Sequence, residues 1–299
     1  MTTAFAPPEI SCATHSVEFV AMGNDWRIEA RGISEEALSH VPVLVEREER
    51  RCWSGRPDSL LSELNRERHV TDGMLALMVA QALAMRDATA GAFDPAIGDA
   101  MQAATEICEA DGRAAVEAST VGRSSMGDLR PTVTGQRIQL EGEGELDLAG
   151  MDKGWTTDLV ARYLRGVGAT QWLIRVGDDT VVGGEEDEER LVDIESTELT
   201  IGITSGAVST SMMWKADLGV QTGPTARIID PSQGMPGDHK YVKAVVIAKS
   251  AAIADALATA MLADPERGDR ALASHQAAAV LITRRGDAFM SPEMDRYLR

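Results

Sequence analysis

The order of strand-like and helix-like segments along the chain constrains its fold most. Strand patterns at SVEFVAM and DWRIEAR come first, and helical periodicity follows over SEEALSHVPVLVEREER and DGMLALMVAQALAMRDAT. A hairpin pattern follows at TVTGQRIQL, and later strand patterns lie at QWLIRVG, RLVDIE, ELTIGIT, YVKAVVIA and AAAVLIT. Strands and helices are mixed without strict β-α-β alternation, which predicts an α+β fold with two lobes around a ligand cleft.

Composition and the start of the sequence narrow the classes of protein to which the chain can belong. We expect residues 1–15 to be disordered and residues 16–299 to form a single domain with two lobes. A formal net charge of -18 argues against nucleic-acid binding, because phosphate backbones attract basic surfaces. The amino terminus has no signal-peptide pattern, and no segment reaches the roughly 18 apolar residues of a membrane span, so we expect a cytoplasmic protein.

An alanine-rich segment, SAAIADALATAML, carries Asp255 and Thr259 four residues apart. If this segment is helical, the carboxylate and the hydroxyl project from one face. Such a pair of oxygens suits a hard cation such as Mg²⁺, which takes one or two protein carboxylates and shares the phosphate oxygens of a substrate. The alternative is that Asp255 is a solvated helix residue and that the Thr259 hydroxyl bonds to its own helical turn.

The segment LDLAGMDKGW places further polar groups around a turn of small residues. An extended LDL run meets Ala149 and Gly150, where backbone can approach a ligand closely, and a helix-like segment follows. Lys153 lies near the start of that helix, where the helix dipole disfavours a cation unless an anion is close, so a bound phosphate or ribose is indicated. The alternative is that Asp152, Lys153 and Asp158 are surface charges.

These segments resemble the ApbE family of flavin transferases, which move FMN from FAD onto a threonine or serine of a target protein. DLAGMDKGWTTD is similar to the family's DLGGIAKGYAVD, GAFDPAIG to its G-x-FDP-x-x-G loop, and RPDSLLSELN to its DSELSRLN helix. AMGNDW is similar to its AMGT strand end, WLIRVGDD to its strand ending in GGD, and AVSTS to its ATS segment. IIDP and ADALATA match its two carboxy-terminal signatures, so the resemblance covers most of the chain.

The resemblance implies a Mg²⁺-dependent FAD:protein FMN transferase. FAD is the implied substrate, an acceptor flavoprotein subunit with a Thr or Ser flavinylation motif is the implied partner, and AMP is released. The implied FAD contacts are Met22, Ala92, Phe93, Asp94, Asp147, Lys153 and Ile228. The implied Mg²⁺ ligands are the backbone oxygen of Gly150 and the side chains of Asp255 and Thr259. The implied catalytic group consists of Asp255, Arg227 and Asp230.

Several positions depart from the family pattern. Arg227 stands where the family commonly has a histidine, and arginine cannot act as a base, although its guanidinium can clamp a phosphate. Asp178 puts a carboxylate where bare glycine backbone is expected near the ligand. Gly55 occupies the place of a common aromatic residue, and Trp53 lies close enough in sequence to substitute for it. Asp152 replaces the alanine before the lysine.

These departures leave alternatives open. The chain can be a retuned transferase, an FAD pyrophosphatase, or a flavin-binding relative with a degenerate site. His239 can act as a replacement base or can be a solvated loop histidine. The run Ser205-Gly206-Ala207 is similar to a flavin-accepting S-G-A-T sequence, but Val208 stands at the acceptor position, so we do not expect self-modification.

Overall fold

An eight-stranded antiparallel sheet forms the centre of the fold. The computed structural model describes residues 13–111, 128–184, 188–194, 197–213, 228–232, 235–236 and 240–299. The strands of the central sheet are β1 (Thr14–Ala21), β2 (Asn24–Arg31), β6 (Gln171–Val176), β7 (Asp179–Gly184), β10 (Gly206–Met212), β13 (Tyr241–Ala248), β14 (Ala278–Thr283) and β15 (Ala288–Met290), and they lie side by side in that order. Each neighbouring pair is antiparallel.

The described part of the chain also has three smaller sheets, eight α-helices and two short 3-10 helices, Ala273–His275 and Pro292–Arg296. The smaller sheets consist of β3 (His69–Thr71), β4 (Arg130–Thr134) and β5 (Arg137–Glu141), of β8 (Arg190–Asp193) and β9 (Thr200–Ile203), and of β11 (Ile229–Asp230) and β12 (Met235–Pro236). The helices are α1 (Glu35–Ser39), α2 (Val41–Cys52), α3 (Leu60–Glu67), α4 (Gly73–Ala88), α5 (Gly98–Asp111), α6 (Asp152–Gly166), α7 (Ala251–Ala263) and α8 (Pro265–Leu272).

The central sheet buries both of its faces. Successive residues of a strand point to opposite faces, and β13 shows the consequence: Ala244 and Val246 join the larger hydrophobic core, whereas Val245 and Ile247 join a smaller one. Helices α6 and α7 cover the first face. The β8-β9 pair and the carboxy-terminal residues cover the second. A strand buried on both sides is almost entirely apolar, as β13 is.

The predicted α+β class is confirmed, and the predicted hairpin forms as β4 and β5. The helix predicted over SEEALSHVPVLVEREER is wrong in one respect, because it breaks at His40 into α1 and α2. Pro42 lies in the first turn of α2, where its missing N–H is tolerated, but a continuous helix would bring its ring against an earlier carbonyl.

Two other expectations need correction. The predicted disordered start overlaps β1, which already begins at Thr14. The run LDL belongs to no strand, because its backbone hydrogen bonds go to loops and side chains instead. The Leu146 N–H donates to the Asn65 side chain at 2.9 Å, and the Asp147 N–H donates to the Pro95 carbonyl oxygen at 2.8 Å.

Candidate functional site

A cavity of about 510 Å³ opens where the β1-β2 turn, the loops before α5 and α6, and helices α6 and α7 meet. It gathers the predicted ligand-contacting residues from distant parts of the sequence. Those that line it are Met22, Ala92, Phe93, Asp94, Asp147, Gly150, Lys153, Ile228, Asp255 and Thr259. The structure therefore brings the predicted FAD contacts and the predicted cation ligands to one place.

The carboxylate and hydroxyl on α7 share a face, as their spacing predicts. Ser250 caps α7 by accepting the Ile253 N–H, and Asp255 is 4% exposed. One Asp255 oxygen, Oδ2, accepts the Gly154 N–H at 3.0 Å, and the other, Oδ1, lies 3.5 Å from the Ser209 hydroxyl. Asp255 is thus a buried cavity residue, which excludes the solvated alternative.

The hydroxyl of Thr259 lies beside β10. Its Oγ1 is 3.5 Å from the Ser211 hydroxyl. Ser209 and Ser211 alternate with Thr210 along β10, so both serines point to the face that α7 covers. Sequence reasoning did not single out these two serines, although their spacing of two within AVSTS is the signal that would have found them.

Two glycines allow the backbone of α6 and its preceding loop to approach α7. A Cβ at Gly150 would lie 3.0 Å from Thr259 Oγ1 and 3.1 Å from Phe93 Cε2. A Cβ at Gly154 would lie 2.3 Å from the Ala251 carbonyl oxygen, a distance that no side chain tolerates. The absence of side chains at these positions lets the Gly154 N–H reach Asp255 and brings the Gly150 backbone beside the Thr259 hydroxyl.

Lys153, the second residue of α6, has a carboxylate partner. Its Nζ lies 2.9 Å from Asp179 Oδ2, and the other Asp179 oxygen accepts the Thr210 N–H at 2.8 Å. Burial lowers the pKa of Lys153, but Asp179 and Asp255 outweigh that effect and raise the pKa above its ordinary value. Lys153 is therefore a fixed cation in the cavity wall, and the anion expected near it is supplied at least in part by Asp179.

Adjacent aspartates at the β6-β7 turn have different environments. Asp179 is buried against Lys153, whereas Asp178 is exposed and lines the rim of the cavity. Sequence reasoning considered only the carboxylate at Asp178 and missed the ion pair of Asp179. Neighbouring side chains at the start of a strand point in opposite directions, but the sequence does not indicate which of the two aspartates points toward Lys153.

The other carboxyl groups of the cavity are held in an environment that disfavours their charge. Burial raises the pKa of Asp255 to about 6, while Lys153 acts in the opposite direction. Burial also raises the pKa of Asp147, which the Ala149 N–H partly offsets. Burial, together with the charges of Asp255 and Asp147, raises the pKa of Asp152 well above its usual range, and Asp152 Oδ2 is buried without a hydrogen-bond partner in the described structure. A cation in the cavity would relieve this crowding of negative charge.

An aromatic ring lies at the rim in spite of the glycine at position 55. Trp53 lines the cavity, and a Cβ at Gly55 would lie 2.5 Å from Trp53 Cζ2, so the ring packs directly over that glycine. The neighbouring Met22 has a positive φ of 51°, and its N–H donates to Glu49 Oε2 at 2.8 Å. Trp53 thus occupies the cavity rim as the sequence suggested it could.

Asp230, a further member of the predicted catalytic group, does not line this cavity. Asp230 is buried, but its carboxylate accepts hydrogen bonds from Arg267 at 2.9 Å and from the Ser232 hydroxyl at 2.7 Å, and it is not among the lining residues. Arg227 and His239 lie outside the described residues.

No three His, Cys, Asp or Glu side chains in the described ranges come together as a metal centre of those ligand types. No helix within those ranges is long and apolar enough to cross a membrane.

The fold is an antiparallel α+β scaffold, and its cavity combines an ammonium, an aromatic rim and a pair of oxygens. These features are typical of a protein that binds a ligand with both a ring and an anionic group. The chain belongs to the ApbE family, whose profile matches residues 22–282. An FAD:protein FMN transferase from Vibrio cholerae is 25% identical over 278 residues, which cover 86% of this chain and 82% of that protein. One from Escherichia coli is 25% identical over 324 aligned positions, which cover 95% of this chain and 91% of that protein.

Solved structures share the fold. The flavin transferase ApbE from Vibrio cholerae superimposes with a TM-score of 0.74 at 22% identity, over 96% of this chain and 99% of that one. The apo form of the flavinyl transferase ApbE from Pseudomonas stutzeri superimposes with a TM-score of 0.76 at 19% identity, over 97% and 99% of the two chains. The family resemblance predicted from the sequence is confirmed.

Proposed function

We propose that this protein is an FAD:protein FMN transferase, which moves FMN from FAD to a Thr or Ser hydroxyl of an acceptor flavoprotein and releases AMP. The observation that carries the proposal is the convergence of Lys153, Gly150, Asp255 and Thr259 on one cavity in a chain of the ApbE family. The names of the relatives from Vibrio cholerae and Escherichia coli support the same activity.

The charged groups of the cavity indicate that a pyrophosphate ligand would bind together with a cation. Lys153 offers one ammonium, which Asp179 holds in place. Asp147, Asp152 and Asp255 offer carboxyl groups, which would repel a pyrophosphate if they were ionised. Additional positive charge would therefore strengthen FAD binding in this cavity, and a divalent cation is the natural source.

The donors available for such a cation fit Mg²⁺. The Gly150 backbone oxygen and the side chains of Asp255 and Thr259 would hold it, and the close approach of the Gly150 backbone to Thr259 supports this set. One carboxylate with neutral oxygens is the kind of protein contribution that Mg²⁺ takes when a substrate supplies phosphate oxygens. When bound, the cation would supply neutralisation of the charge that develops on the leaving group.

The residues of the chain contribute positioning and electrostatics. The acceptor hydroxyl oxygen forms a bond to the FMN-side phosphorus and loses its proton to solvent, the bond from that phosphorus to the bridging oxygen breaks, and AMP leaves with the bridging oxygen. Phosphoryl chemistry of this kind depends mainly on alignment and on charge stabilisation. Lys153 would stabilise the pyrophosphate oxygens, Phe93 and Trp53 would line the ring-binding part of the cavity, and Arg227 would act as a phosphate clamp rather than as a base.

The test uses the purified protein with FAD, Mg²⁺ and a flavoprotein subunit that carries a Ser-Gly-Ala-Thr sequence, and it follows the intact mass of that subunit. We expect a gain of one FMN moiety with the wild type. The Asp255→Ala variant should lose turnover but retain measurable FAD affinity, because it removes a cation ligand and leaves Lys153 and the apolar lining intact. The Leu77→Glu variant is a suitable control, since Leu77 is 60% exposed on α4 and is not among the lining residues.

The outcomes separate the candidate activities. If FAD is split to FMN and AMP without modification of the subunit, the protein is an FAD pyrophosphatase. If FAD stays intact although it binds, the protein is a flavin-binding relative. An Asp255→Ala variant that turns over like the wild type would show that the cation assignment is wrong.

A further inference from the structure

A second cavity, of about 250 Å³, lies on the opposite face of the central sheet and is called the β8 groove here. Its floor is the sheet face near the β6-β7 turn, formed by Arg175, Thr180, Val208, Thr210, Lys243 and Val245. Its wall is formed by Leu191–Ile194, which are three residues of β8 and the residue that follows the strand. The β8 groove is thus a channel between the central sheet and a short strand above it.

The wall formed by β8 has a strand edge with no strand partner among the residues that the structure describes. Within the described chain, β8 pairs only with β9. The far side of β9 is covered, because the Gly202 N–H donates to the Tyr297 carbonyl oxygen at 2.7 Å and the Arg299 N–H donates to the Thr200 carbonyl oxygen at 3.0 Å. Four consecutive residues of the β8 wall line the groove, so the groove borders the backbone edge rather than one face. An open edge presents N–H and C=O groups that a second extended chain can pair with.

The β8 groove and the FAD cavity meet. Asp178 and Thr210 line both of them. Asp178 is exposed in the β6-β7 turn and makes no hydrogen bond or ion pair with any described residue. The next residue, Asp179, holds Lys153. A chain that lies in the groove would therefore end beside the ammonium of the FAD cavity.

We propose that the β8 groove docks the acceptor protein, whose segment adds to β8 as an extended strand and delivers its Thr or Ser hydroxyl past Asp178 into the FAD cavity. This inference rests on the proposed transferase function, since only a transferase to protein needs a path for a polypeptide. At a rise of about 3.3 Å per residue, the four residues of β8 pair with a segment of about four residues.

The chemistry of the groove suits such a segment. Leu191 is 60% exposed and Val192 is partly buried, so β8 offers apolar surface to side chains of a neighbouring strand. Arg175 and Lys243 line the groove together with Asp178 and Asp193, so the lining carries both signs of charge. A lining with both signs of charge favours neither a strongly acidic nor a strongly basic acceptor. Backbone hydrogen bonds and apolar contacts would therefore provide most of the affinity.

The experiment compares Leu191→Glu with Leu77→Glu, because both leucines are 60% exposed and only Leu191 lies in the groove. The probe is the Ser-Gly-Ala-Thr flavoprotein subunit, and transfer is measured as its concentration is varied at saturating FAD and Mg²⁺. We expect Leu191→Glu to raise the KM for the subunit about tenfold or more, because a carboxylate would be desolvated in the docked complex. The Kd for FAD and the Tm should stay those of the wild type, and Leu77→Glu should change neither KM nor Kd.

Amide hydrogen exchange provides a second measurement that does not depend on a variant. The β8 amides that point away from β9 should become protected when the subunit is added to the protein with FAD. Wild-type KM in Leu191→Glu, together with unprotected β8 amides, would overturn the docking groove and leave the transferase function standing. A wild type that transfers no FMN to the subunit would overturn both.

Discussion

The ion pair between Lys153 and Asp179 allows the energetics of the site to be predicted from its geometry. The Lys153 side chain is 19% exposed and that of Asp179 is 7% exposed, so replacement of Asp179 by Asn leaves an ammonium largely buried without its partner. Removal of one partner of a buried pair typically costs about 3 to 5 kcal/mol. The asparagine oxygen can still accept the Thr210 N–H, which holds the local backbone, so we expect the lower value of about 3 kcal/mol.

This loss is measurable by thermal unfolding of the apo protein. A change of 1 kcal/mol shifts the Tm of a domain of roughly this size by about 2 to 4 °C, so Asp179→Asn should lower the Tm by about 6 to 12 °C. The double variant with Lys153→Met should recover part of this loss, because no charge is then left unpaired. A loss below about 1 kcal/mol in Asp179→Asn would refute the reasoning, since it would mean that water solvates the ammonium as well as Asp179 does.

Other predictions concern the cation and the ligand rings. The affinity for Mn²⁺ or Mg²⁺, measured by calorimetry, should fall below a pH of about 6, because protonated Asp255 is a poor ligand. The raised pKa of Asp255 also makes the folding stability of the apo protein depend on pH. The stability that Asp255 contributes is present below its unfolded pKa of about 3.8 and is lost as the pH rises through about 6. The Asp255→Ala variant should lack this fall in stability with pH. Gly150→Ala should destabilise the fold by only about 1 kcal/mol, since the contact with Thr259 needs a shift of a few tenths of an ångström, yet it should lower cation affinity about tenfold or more. Trp53→Ala should raise the Kd for FAD about 2- to 10-fold in a fluorescence titration. An unchanged Kd would show that no ring of FAD packs against the Trp53 indole.

Local periodicity was enough to predict most elements of the fold and part of the site. The pairing of Asp255 with Thr259 follows from helical spacing alone, and burial confirms that this face of α7 is turned inward. The start of α4 is also fixed locally, because Asp72 lies just before an apolar helical run and its side chain accepts the Leu75 N–H at 2.7 Å.

Long-range contacts account for what the sequence did not predict. The run LDL looked like a strand, but Asn65, 81 residues away from Leu146, satisfies its backbone. The choice between Asp178 and Asp179 as the partner of Lys153 depends on how β7 is oriented against α6, which no local pattern encodes. The place of Trp53 over Gly55 likewise depends on the path of the chain after α2.

The most direct test of the account is to locate the modification on the acceptor. The Ser-Gly-Ala-Thr subunit is incubated with the wild-type protein, FAD and Mg²⁺, digested, and sequenced by tandem mass spectrometry, with chelator and with Asp255→Ala as parallel samples. The account predicts FMN joined through phosphate to the acceptor hydroxyl in the wild-type sample and to no residue in the other two. Modification of equal extent in all three samples would contradict the claim that this cavity transfers FMN with a cation held at Asp255.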